Sequence, residues 1–158
     1  MDNFEQRAAE RITSWPEIDT DAFTASFHLF RLATLYLSRL ESAVHRPAGV
    51  STAGFRVLFT VWVYDELEPR QIARLSGVST AAVSGVVNTL AAKGLVNKQR
   101  DPHDGRLVQI TLTPAGTNLL AAAYGEQNLE EQQMFSVLDP VELERLTSTL
   151  RKLVRRLS

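Results

Sequence analysis

Between Ser79 and Asn88 lies a set of residues with the types and spacing to work against the groove of a polyanion. Ser79 can cap a helix on which Val83, Val87 and Leu90 make one apolar face, at three- and four-residue spacing. Thr80, Ala81, Ala82, Ser84, Gly85 and Asn88 then fall largely off that face. Small side chains let a helix backbone approach base edges, and alanine and threonine methyls can touch thymine methyls. The hydroxyls of Thr80 and Ser84 can donate to phosphates or bases, and a helix N-terminus favours an anion. Gly85 costs about 1 kcal/mol against alanine in a helix interior, which close approach by a duplex or a neighbouring helix would explain. Taken alone, the same pattern also describes tolerated surface residues of a helical hairpin.

A second cluster follows. Lys98, Arg100 and Arg106 flank the turn signal Asp101-Pro102-His103-Asp104-Gly105. Arg106 is placed to enter a minor groove, where a narrow A·T tract concentrates negative potential, and Asp104 can hold its guanidinium. From Arg70 to Arg106 six basic residues stand against two acidic ones, a net +4 that leaves −5 for the remainder of a chain whose total is −1. Such asymmetry is the electrostatic footprint of a nucleic-acid binder even in a near-neutral protein.

Other chemistry is excluded or unsupported. With no cysteine there is no disulfide framework, thiolate metal site or thiol redox chemistry. His28, His45 and His103 are too scattered for metal-ligand spacing, and no cofactor is expected. There is no paired-carboxylate motif, nucleophile elbow or phosphate loop, so an enzyme is not expected. No apolar run approaches the ~18–20 residues of a membrane span, and the polar, mixed-charge start Met1-Asp2-Asn3-Phe4-Glu5 is unlike a secretory signal. A cytoplasmic, metal-free protein is expected.

The elements that must hold these residues can be read from caps and breakers. Asp19-Thr20-Asp21 opens a long helix with Phe23, Phe27, Phe30, Thr34 and Leu37 on one face and Leu29, Leu32, Tyr36 and Leu40 on another. A helix apolar on two sides needs two partners: its own domain, and a second subunit. His45-Arg46-Pro47-Ala48-Gly49 ends it. Ser51 caps a helix with Phe55, Leu58, Phe59 and Trp62, and Glu68-Pro69 starts a short one that Gly77 breaks. In a helix-turn-helix over Pro69 to Val87, Ile72 and Ala73 face inward, Gly77 makes the turn, and Val78 plugs the angle.

Gly94 stops the second helix; Leu95-Val96 and a strand with Val108, Ile110 and Leu112 on one face form a β-hairpin. Thr113-Pro114 opens another helix. Asp139-Pro140-Val141-Glu142 has capping-box chemistry, followed by a short leucine seam at Leu143, Leu146, Leu150, Leu153 and Leu157. The expected fold is mainly α with a small β-hairpin wing: a winged helix-turn-helix with N- and C-terminal dimerisation helices. Its expected parts are an extension (1–18), a dimerisation helix (19–48), the winged domain (49–113) and C-terminal dimerisation helices (114–158).

The stretches Gly54-Phe55-Arg56-Val57-Leu58, Ile72-Ala73, Gly77 to Ser84 and Lys93-Gly94-Leu95-Val96 resemble the MarR family of bacterial regulators. So do Asp101-Pro102-His103-Asp104-Gly105-Arg106 and Leu112-Thr113-Pro114-Ala115-Gly116, the first being the most specific. The resemblance covers roughly residues 20 to 157 and implies a triangular homodimer with interlocked first and last helices. It also implies that Thr80, Ala81, Ala82, Ser84 and Asn88 meet the major groove of a palindromic operator, and Arg106, supported by Asp104, the minor groove. Members usually repress transcription and release DNA when a small, often phenolic, ligand binds. The branch that senses peroxide through cysteine is excluded. A urate site is not expected, because Arg56 stands where that branch has an acidic contact and Val86 where it has an arginine.

For an aromatic acid or phenol, His28 and Arg31 share a helix face and could hold a carboxylate or phenolate, with Phe27, Phe59 and Trp62 as walls. The plainer reading makes His28 an interface residue and the aromatics core. The alternative to the whole reading is a winged-helix dimerisation or interaction module that does not bind DNA sequence-specifically.

Overall fold

In the computed structural model, which describes residues 3–100 and 108–157, the α-helices from the second onward begin where a side chain can satisfy orphan backbone N–H groups. The order is α1 (Asn3–Thr13), α2 (Thr20–Leu40), a π turn (Glu41–His45), α3 (Thr52–Tyr64), β1 (Glu66–Leu67), α4 (Pro69–Ser76), α5 (Thr80–Ala92), β2 (Val96–Arg100), β3 (Val108–Leu112), α6 (Pro114–Phe135) and α7 (Pro140–Leu157). Asp19 Oδ1 accepts from Ala22 N at 2.9 Å, Ser51 Oγ from Gly54 N at 3.1 Å and Thr113 Oγ1 from Gly116 N at 3.0 Å. Asp139 caps α7 through Val141 and Glu142 N–H, while Glu142 Oε2 accepts from Asp139 N at 2.9 Å, so the expected capping box is formed.

The molecule is mostly helical with a small antiparallel sheet, a winged helix-turn-helix. The sheet has three strands in the order β1-β3-β2, one more than the expected hairpin. Val96 pairs with Leu112 and Arg100 with Val108, while Glu66 and Leu67 pair with Thr111 and Ile110. Two residues are too short a run for alternation to reveal, so β1 is legible only once β3 is there to pair with it. Ile110 is fully buried and Leu67 nearly so, which binds the wing to the helical core of Val57, Leu58, Val61, Ile72, Val83, Val87 and Leu90.

Two arms are left bare. Leu29, Phe30, Leu32 and Leu35 of α2 are 49, 77, 49 and 60% exposed. None of the residues of α7 is buried, and Leu143, Leu150, Leu153 and Leu157 of its seam are exposed. Apolar surface on this scale marks an interaction site. Among the described residues no single helix is long and apolar enough to cross a membrane; the pair α4 and α5 has the composition but is bent by 110°.

Candidate nucleic-acid interface

The bend between α4 and α5 follows from a few local choices. Pro69 begins α4, with Glu68 and Gln71 forming a capping box across its start. Gly77 ends it at φ +68°, a left-handed conformation in which a Cβ is costly. Ser76 is buried, and its Oγ accepts from Val78 N at 3.1 Å, which shapes the turn. Ile72 and Val78 are buried and Ala73 partly so, as the pattern required. Ser76 carried no sequence signal of its own, because a serine at the end of a helix has many roles.

Ser79 caps α5 by accepting from Ala82 N at 3.3 Å, so its hydroxyl oxygen serves the helix as well as facing solvent. Thr80, Ala81, Ala82, Ser84, Gly85 and Asn88 are all exposed, while Val83, Val87 and Leu90 on the opposite side are 1–2% exposed. Among the described residues no atom outside α5's own backbone comes within 4 Å of where a Cβ on Gly85 would stand. Packing against another helix of the same chain therefore does not explain that glycine.

β2 stands beside this face. Lys98 Nζ donates to Asn88 Oδ1 at 2.7 Å, a link the sequence did not show although both residues had been singled out. The base of the wing is clamped on α6: Thr113 Oγ1 donates to Gly94 O at 2.7 Å and Thr113 N to Leu95 O at 3.1 Å. A Cβ on Gly116 would lie 2.0 Å from Leu95 O, so only glycine allows α6 to start this close to β2. The backbone of Arg100 ends β2. Asp104 and Arg106, and the turn between the strands, lie outside the described residues.

The five residues expected around a ligand do not come together within one chain. Phe27 stacks on Phe4 of α1 with ring centroids 6.0 Å apart, and His28 Nε2 lies 3.2 Å from Glu5 Oε1. Arg31 lines a shallow groove with Phe4, Phe27, Phe30, Thr34 and Leu35. Phe59 and Trp62 sit elsewhere, between α3 and α6, where Phe59 stacks on Tyr124 at 5.6 Å. The reason is the length of α2: α1 packs on it at Phe27 and His28, whereas α3 meets the π turn that follows it.

What that end builds is a cavity between α2, α3, α4 and α6, of about 330 Å³, whose lining includes Tyr36, His45, Phe55, Arg56, Phe59 and Tyr124. Burial, then the neighbouring Glu131 carboxylate, pushes the Tyr36 hydroxyl up to about 12, so Tyr36 enters as a neutral donor. Arg56 also reaches the helix-turn-helix: a Cβ on Gly77 would stand 3.7 Å from its Nη2. Arg56 was read as part of the family resemblance and as an argument against urate; its spacing three residues before Phe59, on one helix face, is the signal that it lines the same cavity. Nearby, Arg39 makes a two-point ion pair to Glu130 at 2.7 and 3.0 Å, tying α2 to α6.

A helix-turn-helix with an exposed small-residue face on its second helix, flanked by a three-stranded wing, defines a DNA-binding regulator. A sequence model of the MarR family matches residues 50–108. The chain is 32% identical over 140 residues, 89% of its own length and 82% of the relative's, to the uncharacterized HTH-type transcriptional regulator YwaE of Bacillus subtilis. It belongs to the MarR family of transcriptional regulators. Its fold is similar to that of Bordetella bronchiseptica BpsR, whose DNA binding is regulated by 6-hydroxynicotinic acid, with TM-score 0.75 and 25% identity over 82% of this chain and 98% of that one. It is also similar to a mutant of E. coli MarR complexed with operator DNA, with TM-score 0.69 and 21% identity over 83 and 96% of the two chains.

Proposed function

We propose that the chain is a homodimeric repressor that reads a palindromic operator, one half-site per subunit about one helical turn apart. The observation that carries this reading is the outer face of α5, where six small or polar residues are exposed on a helix whose other face is buried. Ser79, Thr80, Ala81, Ala82, Ser84, Gly85 and Asn88 meet the major groove, with Lys98 and Arg100 on the flanking backbone. Arg106, held by Asp104, enters the minor groove. The bare faces of α2 and α7 cover those of a second copy, which sets the distance between the two α5 helices.

Release by a small aromatic acid fits the cavity beside Arg56 better than the groove at His28 and Arg31. Its lining combines the rings of Tyr36, Phe55, Phe59 and Tyr124 with a guanidinium, the pairing that receives a planar carboxylate. Such a ligand acts only if it binds the DNA-incompetent spacing of the dimer more tightly than the competent one. BpsR, of the same fold, responds to a hydroxylated pyridine carboxylic acid, which supports the class.

The test is a mobility shift with wild type and with Ala81→Glu/Ser84→Glu, two charges placed on the exposed face of α5. Specific binding should vanish with the melting temperature unchanged. Wild-type affinity in the double variant would contradict the reading, and weak, sequence-indifferent binding by wild type itself would favour a dimerisation or interaction module instead.

A further inference from the structure

His45 is 2% exposed, in the π turn that joins α2 to the winged domain, and both its ring nitrogens face polar atoms. Nδ1 lies 3.0 Å from Thr52 Oγ1, and Nε2 lies 3.1 Å from Gln127 Oε1. The hydrogens on those partners are already assigned. The Thr52 hydroxyl donates to Glu41 Oε2, in a short contact, and Thr52 N donates to the same oxygen at 2.7 Å. Gln127 Nε2 donates to Glu131 Oε1 at 2.9 Å, an oxygen that also accepts from the Tyr36 hydroxyl at 3.2 Å, and this fixes which end of the amide faces His45. Carboxylates donate nothing. Thr52 Oγ1 and Gln127 Oε1 are therefore both acceptors toward the ring, and only a ring with both N–H groups satisfies them.

We propose that His45 is held as a buried imidazolium with Glu41 as its counter-charge, making the π turn a pH-sensitive joint between the α2 arm and the DNA-binding domain. A neutral ring would set a bare nitrogen against an oxygen, or would take the Thr52 hydrogen and leave Thr52 and Glu41 as two facing acceptors; either loses a buried hydrogen bond. The surroundings agree with a cation. The ring of Phe55 stacks on His45 with centroids 4.5 Å apart. The two Thr52 hydrogen bonds, with Arg46 and His45 nearby, hold the Glu41 carboxyl below its usual range against the opposing effect of burial. From the elements packed on the turn, Tyr36 of α2, Arg56 of α3 and Tyr124 of α6 line the same cavity, and Glu131 of α6 stands behind Gln127. Arg56 opposes the charge on His45, and the Glu41 and Glu131 carboxylates favour it.

The direction follows from proton linkage. An imidazolium held by these two acceptors contributes only while both N–H groups are present, so by proton linkage the joint's contribution is lost as pH rises. Glu41 must stay ionised, which closes the window from below. π turns concentrate at functional sites, and this one lies where a change of geometry would alter the spacing of the two α5 helices.

The experiment uses the full chain with ¹⁵N-labelled histidine, without DNA, so that its outcome is separate from that of the operator reading. In wild type at pH 7 the His45 resonances should report two protonated nitrogens. One protonated and one bare nitrogen would overturn the proposal. As a second readout, Thr52→Val removes the Oγ1 acceptor but keeps the backbone N–H to Glu41, so a neutral ring costs nothing further. Between pH 6 and 8 the wild-type melting temperature should fall by about 3 °C or more beyond any fall in this variant. Parallel curves would contradict the joint.

Discussion

Lys98 Nζ of β2 donates to Asn88 Oδ1 of α5 at 2.7 Å, so wing and helix-turn-helix are tied at the face proposed to meet DNA. The bond engages Asn88 Oδ1, and among the described residues no hydrogen bond from its Nδ2 is seen, which leaves it for the proposed acceptor on the duplex. Lys98→Ala should weaken operator binding several-fold and reduce the salt slope by about one counterion. Binding isotherms across a salt series check this, and an unchanged slope would remove Lys98 from the interface.

Three glycines separate three physical causes. Gly116→Ala drives a Cβ to 2.0 Å from Leu95 O and should destabilise by at least the ~1–3 kcal/mol typical of overpacking. Gly77→Ala has room beside Arg56 but keeps φ at +68°, for a cost of about 1–2 kcal/mol. Gly85→Ala meets nothing within 4 Å and should stabilise by up to about 1 kcal/mol while lowering operator affinity. Denaturant unfolding with a parallel binding assay distinguishes them; a Gly85→Ala chain that is more stable and binds unchanged would mean that nothing approaches that face closely.

The acid limb of stability rests on two carboxylates. Glu130 is held low by its hydrogen bonds and charge pairing with Arg39, and Glu41 by its bonds to Thr52. A depressed folded-state value means stability that is present above the unfolded carboxylate range and lost as pH falls through the folded one. Glu41→Gln should therefore flatten the loss of melting temperature below pH 5 relative to wild type. Glu130 pairs with an Arg39 side chain that is 60% exposed and open to solvent screening, so Glu130→Gln should change it less.

Much of this framework is legible in the sequence because it is local. Asp19, Ser51, Ser79, Thr113 and Asp139 each cap the helix that their side chain and position imply. Gly77 and Gly94 take left-handed turns because no Cβ resists them. The inward faces of α4 and α5 follow from the spacing of Ile72, Val83, Val87 and Leu90. What the residues did not reveal is contact between distant segments. β1 exists through its pairing with β3, and Lys98 finds Asn88 only once the wing folds back. The expected ligand set divides because α1 occupies the end of α2 that carries Phe27 and His28.

The effector reading has a sharp control in Arg56. With aromatic carboxylates such as substituted benzoates, wild type should show a rise in melting temperature that Arg56→Ala loses. Equal shifts in both would take the carboxylate away from Arg56, and loss of the shift in His28→Ala or Arg31→Ala alone would return it to the groove on α2.

The arms can be tested without DNA. Phe30 and Leu35 are 77 and 60% exposed in the single chain, and Phe30→Lys/Leu35→Lys should leave the winged domain folded while converting a dimer to a monomer in sedimentation. A stable monomer in wild type would remove the second copy from the account.

Selection of bound sequences from random duplexes by the wild-type protein tests the central claim most directly. The account predicts enrichment of two inverted half-sites, centred about 10–10.5 base pairs apart or a multiple of that spacing, and loss of the enrichment with Ala81→Glu/Ser84→Glu. A pool that stays random after repeated rounds, or enriches one unpaired site, would contradict it.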